Sequence, residues 1–291
     1  MDWTERRERF RGILNGSRCF HPASVYDAMS ARIAEDLGYE VGMLAGSTGS
    51  LSVLGAPDLI VLTLTEFAAQ CYRVCRAGNI ALLVDSDHGY GNALNVKRTV
   101  EELETAGVSA LTIEDTVLPL PYGATKTTLI PIEEGVGKMK AALAGRQDPR
   151  LVIAGRTGAL RVTGLDDTIA RCKAYEAAGV DALFLAGASK KEEVEAISQA
   201  TTLPLFLGGG QDPFADDDWM AAHRVKIVLL GHQPIAAAVQ AVYATMKALR
   251  EGTPPSQLTG LPSRELMARV TRAADYREWT RDFLNSTAGG D

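Results

Sequence analysis

The chain has 291 residues, 46% hydrophobic and 23% charged, which is ordinary for a globular protein with a large core. A formal net charge of −6 argues against nucleic acid or an anionic membrane as partner, since both reward a basic face; a small anionic substrate is compatible, because a metal and a few arginines can reverse the field inside a pocket. No segment approaches the roughly 20 uninterrupted apolar residues of a membrane span, and Cys19, Cys71, Cys75 and Cys172 lack a second Cys/His pair to make a metal site, so reduced thiols in a cytoplasmic protein are expected.

Residues 1–10 read as a charged amphipathic helix and not as a signal peptide. Ser17-Arg18-Cys19-Phe20 is a strand ended by His21-Pro22, and a helix follows to Leu37, with Ser24 or Asp27 as its cap and Gly38 as its stop. Val41-Gly42-Met43-Leu44-Ala45 is a strand breaking into Gly46-Ser47-Thr48-Gly49-Ser50. Helical periodicity over 65–77 leads to the strand 80–84, a helix over 95–106, the strand 109–113 and a helix over 133–144. The alternation continues with the strand 151–154, a helix over 166–178, the strand 182–185, a helix over 190–200, and the strands 204–207 and 225–230.

Strict alternation of β and α implies a parallel sheet. Eight units in about 230 residues fit a closed (β/α)8 barrel better than an open doubly wound sheet. No linker-like run divides the chain, so one domain over 1–291 is expected, with an N-terminal helix over 1–16, the barrel over 17–250 and a helical tail over 251–291. Helices at 235–250, 264–274 and 276–284 exceed what the barrel needs. They imply packing against, or exchange with, a neighbouring subunit and hence a homo-oligomer, taken as a dimer of dimers, a homotetramer.

Chemistry collects at the C-terminal ends of barrel strands. Those ends carry Ser47, Asp85, Asp87, Glu114, Asp115, Arg156 and His232. Asp85 and Asp87 share a strand face by alternation, and such a like-charged pair reads either as an Asp-rich turn or as a site for a hard cation such as Mg²⁺. A lone His after Gly231 or a lone Arg after a strand is usually structural or solvated; together at one barrel face they read as substrate ligands. The set suits an α-keto acid. A cation stores charge on the keto oxygen as an enolate, Arg156 grips a remote carboxylate, and the N–H groups and hydroxyls of 46–49 meet the near carboxylate.

The run Asp85-Ser86-Asp87-His88-Gly89-Tyr90-Gly91-Asn92, with Val25-Tyr26-Asp27 before it and Ile113-Glu114-Asp115 after it, resembles the isocitrate lyase/phosphoenolpyruvate mutase superfamily. The likeness runs from about Ser17 to the tail, and it implies an Mg²⁺-dependent barrel (Mn²⁺ substituting) acting through enolates. It implies Asp85 as direct metal ligand, with Asp58, Asp87 and Glu114 holding metal-bound waters. Ser47, with Gly46, Thr48, Tyr26, Arg156 and His232, would bind substrate, and Asp85, Arg156 and His232 would be catalytic.

The loop after Asp115, residues 116–126, has neither the Cys-Gly-His of the isocitrate lyases nor the Lys/Asn-rich gate of phosphonopyruvate-processing members. Retro-aldol cleavage needs a proton acceptor on the departing alcohol, whereas decarboxylation needs only an electron sink and a later proton donor. Ser17-Arg18-Cys19-Phe20-His21, the 85–96 segment and Glu133-Glu134-Gly135-Val136-Gly137-Lys138 are most similar to the bacterial oxaloacetate decarboxylase branch. That implies Mg²⁺-dependent decarboxylation of oxaloacetate to pyruvate and CO₂, with a bound water or His232 protonating the enolate. The departures are Gly158, where the branch has Asn, and Gln233-Pro234 beside His232; both border the pocket. The alternatives are another 2-keto or 2-hydroxy acid C–C lyase, a phosphonopyruvate-processing enzyme, or an inactive keto-acid-binding barrel.

Overall fold

The computed structural model describes residues 1–208, 214 and 216–284. The elements run in the order α1 (Thr4–Asn15), β1 (Ala23–Ser24), α2 (Ala28–Asp36), β2 (Val41–Leu44), α3 (Gly46–Leu54), α4 (Leu64–Cys75), β3 (Ala81–Asp85), α5 (Ala93–Thr105), β4 (Ala110–Glu114), α6 (Ile132–Gly145) and β5 (Val152–Thr157). They continue with α7 (Ala159–Val162), α8 (Leu165–Ala178), β6 (Ala182–Ala186), α9 (Lys191–Ala200), β7 (Leu205–Gly208), α10 (Asp217–Ala222), β8 (Val225–Leu229), α11 (Gln233–Arg250), α12 (Arg264–Val270) and α13 (Ala273–Leu284).

Every strand pair is parallel, in the sheet order β1 to β8. The predicted first strand is displaced. Pro22 has no N–H to give a ladder, so the strand proper, β1, begins after it. Phe20 alone bridges to β8, donating to Lys226 O at 2.8 Å and accepting from Val228 N at 3.1 Å, and through it the sheet closes into the expected α/β barrel. Alternation then sorts the side chains. Val41, Met43, Ala81, Leu83, Ala110, Val152, Ala154, Phe184 and Phe206 fill the inside, while Leu44, Leu82, Val84, Leu111, Ile113, Ile153 and Leu183 pack under the helices.

Helix α1 is more than the charged amphipath its sequence suggests. Phe10, Ile13 and Leu14 join the inner cluster, and the Phe10 ring meets Phe206 edge-on with centroids 6.2 Å apart. Two of its arginines are buried. Arg6 donates to Cys75 O (2.8 Å) and Gly78 O (2.7 Å), and Arg7 to Val108 O (3.0 Å) and Glu104 O (2.6 Å) while pairing with Asp148 at 2.9 Å. All these carbonyls lie where the chain enters β3 and β4, so α1 closes the N-terminal end of the barrel.

The segment Gly46-Ser47-Thr48-Gly49-Ser50, expected only as the break after the strand 41–45, opens a helix, α3, although Gly and Ser are poor helix formers. Thr48 supplies the local reason: its hydroxyl accepts from Ala45 N at 3.2 Å and donates to Ala45 O at 2.9 Å, closing the first turn. Asp27 caps α2, accepting from Ser30 N at 2.7 Å. The expected tail helices over 264–274 and 276–284 divide earlier, because Arg272 adopts φ +58 and separates α12 from α13. The four cysteines are free, and burial raises the thiol of Cys19 to about 12 and that of Cys75 to about 11. Among the described residues no helix is long and apolar enough to cross a membrane.

The chain divides into two compact units, 1–233 and 234–291, so α11 belongs with the tail and not with the barrel as expected. In the second unit α12 and α13 pack on each other, and the Tyr276 and Trp279 rings meet at 5.0 Å. Residues 285–291 of the predicted tail lie outside the described residues.

Because Phe10 is fully buried at the barrel's inner end, Phe10→Ala is expected to lower unfolding stability by about 3–5 kcal/mol. Urea denaturation at unchanged slope measures this; a loss below about 1 kcal/mol would mean that α1 is dispensable to the core.

Candidate active site

Strand parity decides which side chains reach the C-terminal mouth. Ala81 and Leu83 face inward on β3, so Asp85 follows them; Ala110 and Thr112 lead to Glu114 on β4; Val152 and Ala154 lead to Arg156 on β5. Register sets Asp85 beside Thr112 and Glu114 beside Arg156. Arg156 answers both acids, ion-pairing through Nη1 with Asp85 Oδ2 and through Nη2 with Glu114 Oε2 at 3.2 Å. Its Nε is buried without a partner, and the guanidinium lies over the Phe184 ring at 5.3 Å. Asp85 Oδ1 accepts from the Thr112 hydroxyl and from Asp87 N, each at 3.1 Å.

Asp87 joins this centre by a route that strand alternation does not describe. The strand stops at Asp85, and Asp87 takes the left-handed conformation at φ +49, which Asp tolerates. Its carbonyl accepts from Glu114 N at 2.9 Å, and its carboxylate lies against the first turn of α3. A Cβ on Gly46 would fall 2.6 Å from Asp87 Oδ2, so only glycine admits the carboxylate there.

Like charges set the titration of the cluster. Burial, then the charges of Asp85 and Glu114, hold the Asp87 carboxyl far above the usual carboxylate range. Burial raises Glu114 too, against the pull of Arg156. Asp58, on the exposed loop after α3, is raised by burial of its carboxyl and by the Asp85 charge, with Arg156 and His232 opposing. Burial works against the charge of Arg156, but Asp85 and Glu114 prevail and raise its pKa. Burial lowers His232, partly offset by Asp85 and Asp58. Its Nδ1 lies 2.9 Å from Ser24 Oγ, which leaves Nε2 for a ligand.

The other expected substrate residues divide. Gly46 and Ser47 occupy the first turn of α3, where backbone N–H groups have no intrahelical partner. Thr48 is buried with its hydroxyl turned back on Ala45, so its side chain has nothing left for a ligand. Tyr26 is half-buried beyond β1, its carbonyl accepting from Gln70 Nε2. Asp115 points away from the mouth. It is fully buried and accepts from Arg171 Nη1 at 3.0 Å and from the Tyr175 hydroxyl at 2.8 Å, so it braces Glu114 from behind. Sequence reading missed Thr112 and Ser24; the alternation that assigns Glu114 inward assigns Thr112 inward as well.

A cavity of about 510 Å³ opens beside this cluster, lined by Glu114, Arg156, Thr116, Lys126, Arg161 and Gly187 among others. A larger one, about 660 Å³, lies at the α1 end between Arg9, Arg18, Tyr39 and Asn79, the face of a barrel where catalysis is not built. Among the described residues no three His, Cys, Asp or Glu side chains converge closely enough to ligate one ion directly.

The family model described as phosphoenolpyruvate phosphomutase matches residues 10–250. The chain is 59% identical over 284 residues to the oxaloacetate decarboxylase of Bradyrhizobium diazoefficiens, covering 98% of this chain and 99% of that one. It is equally 59% identical, with the same coverage, to the oxaloacetate decarboxylase of Rhodopseudomonas palustris strain BisB18. Among solved structures, phosphonopyruvate hydrolase in complex with oxalate and Mg²⁺ superposes with a TM-score of 0.83 at 28% identity, covering 96% of this chain and 99% of that one.

A carboxyl raised by folding contributes stability below its unfolded pKa and loses it as pH rises through the folded value. Asp87→Asn removes that cost, so in EDTA at neutral pH it is expected to raise the thermal midpoint by at least about 2 °C. It should also flatten the decline in stability between acid and neutral pH. A lower midpoint than wild type would show that the Asp87 carboxylate is net stabilising.

Proposed function

The chain belongs to the phosphoenolpyruvate phosphomutase family, and from that premise we propose that it is a cytoplasmic enzyme that decarboxylates oxaloacetate to pyruvate and CO₂ with a divalent cation, Mg²⁺ or Mn²⁺. The full-length likeness to oxaloacetate decarboxylases carries the reading. The chemistry of the mouth agrees with it: residues 116–126 bring no thiol or imidazole to serve as base for a retro-aldol cleavage, and decarboxylation requires none.

The donor set fits a hard cation. Asp85, Asp87, Glu114 and Asp58 offer only oxygen, and three of the four are pushed up by burial and mutual charge with a single guanidinium opposite. Asp85 would hold the ion directly and Asp58, Asp87 and Glu114 through water; when bound, it supplies a Lewis acid for the keto oxygen.

The protein's own groups account for the rest. The N–H groups at Gly46 and Ser47 meet the carboxylate next to the keto group. Arg156, fixed between Asp85 and Glu114, stabilises negative charge as it grows on the keto oxygen. The bond from C3 to the distal carboxylate breaks, its electron pair becomes the enolate, CO₂ leaves, and a proton is delivered to C3 by His232 Nε2 or by water. Ser24 fixes that imidazole, and burial lowers its pKa, partly offset by Asp85 and Asp58.

The second unit exposes Val239, Val242, Tyr243, Met246, Trp279 and Phe283, an apolar surface that we read as covered in a homo-oligomer, a dimer of dimers. Sedimentation of the purified protein as a monomer at micromolar concentration would overturn that part.

Oxaloacetate turnover is expected with Mg²⁺ and not in EDTA, lost in Asp85→Ala. Arg156→Ala should lower kcat by about 100-fold or more, since it removes charge stabilisation and unties Asp85 from Glu114. CO₂ and pyruvate report the reaction. Metal-independent turnover, or none above the spontaneous rate, would sink the proposal. Phosphate released from phosphonopyruvate would move the chain to another branch, and oxalate binding without turnover would leave a binding protein.

A further inference from the structure

Arg156 cannot serve two masters. Both of its terminal nitrogens are taken by Asp85 and Glu114, and its remaining nitrogen is buried. The distal carboxylate of a four-carbon keto diacid therefore needs another cation. The 510 Å³ cavity supplies two, Arg161 and Lys126, both in its lining. Among the described residues neither has a carboxylate partner, and both are exposed at the mouth.

Arg161 is placed by the fold. It rides on α7, a single turn started by Thr157 Oγ1 accepting from Ala159 N at 3.2 Å and closed by Gly164 N donating to Ala159 O at 2.8 Å. Its stem crosses Gly187, a residue at φ +81; a Cβ there would lie 2.5 Å from Arg161 Cδ. Gly158, one step before α7, leaves open space, with nothing within 4 Å of where a Cβ would stand. The wall is thus pared back beside Arg161. Lys126 faces the same cavity from the 116–131 arm, whose base is tied by Val117 N to Thr128 O at 2.9 Å and Ile130 N to Asp115 O at 2.9 Å.

We propose that Arg161 and Lys126 recognise the distal carboxylate of the substrate and so set the preference for a four-carbon keto diacid. The inference rests on the proposed decarboxylation. It has a chemical logic of its own. The distal carboxylate becomes neutral CO₂, so a tight buried ion pair would stabilise the ground state and slow bond breaking. Exposed cations at the mouth capture the dianion and let the charge go. Both would bind the substrate away from the reacting keto group, and their mark is on KM.

The experiment uses the Mg²⁺-loaded enzyme and its Arg161→Ala, Arg161→Lys and Lys126→Ala variants. Expected are a rise in KM for oxaloacetate of about fivefold or more in each alanine variant, kcat within twofold, partial rescue by Arg161→Lys, and an unchanged inhibition constant for oxalate, which has no distal carboxylate. An unchanged KM, or oxalate weakened in parallel, would overturn the proposal. Calorimetric titration with malate and oxalate separates it from the functional reading. If wild type fails to turn over oxaloacetate, the decarboxylase reading falls. Weakened malate with unchanged oxalate in Arg161→Ala still upholds the recognition site; malate binding that is undetectable or insensitive to Arg161→Ala ends it.

Discussion

One guanidinium holds the carboxylates of two neighbouring strands together, and the barrel serves to keep it there. Asp85 and Glu114 lie inward at adjacent strand ends, an arrangement that repels itself unless a cation sits between. Arg156 occupies that place because β5 is in register with β4, Glu114 opposite Arg156, and because each strand presents the same parity at its end. That parity is enforced from below. The inner cluster of Leu83, Ala154, Phe184 and Phe206 fills the barrel, and α1 seals it with Phe10 and with arginines that satisfy strand-entry carbonyls. A one-residue slip in any strand would turn its acid or base out toward the helices.

The centre is also braced from outside. Asp115, next to Glu114, is buried with Arg171 and Tyr175, so the end of β4 is pinned on both faces. Such a buried pair contributes little net stability, but removal of either partner strands a charge, and the geometry of Glu114 is what it secures.

Most of the barrel was legible in the sequence because parallel strands buried on both faces give short apolar runs, and seven of the eight predicted runs coincide with observed strands. The failures have physical causes. The first strand was misplaced since Pro22 cuts the ladder in a way that periodicity does not register. The stretch 46–50 was read only as the break after a strand, and it opens a helix by tertiary context, with Gly49 packed beside Leu62 and Phe67. Strand ends pointed to Asp85, Glu114 and Arg156, and the structure brings these three side chains together. Asp87 was found for an incomplete reason, since a left-handed turn and not alternation carries it to the site. Asp115 was read as a site acid although the parity of Glu114 already turns it outward. Arg161 was beyond reach, because a single turn such as α7 leaves no period to detect.

The two kinds of residue at the mouth obey different demands. Charge that grows during bond breaking is best met by groups that do not move, and Asp85, Glu114 and Arg156 are buried, cross-bonded and mounted on strands. Charge that disappears during bond breaking is best met weakly. Gly158 and Gly187 thin the wall around Arg161, an exposed residue whose attraction solvent screens. A substitution that buried Arg161 would tighten binding of the dianion and oppose its conversion. In the proposed reaction, rigid electrostatics would stand where the transition state gathers charge and solvated ones where the product loses it.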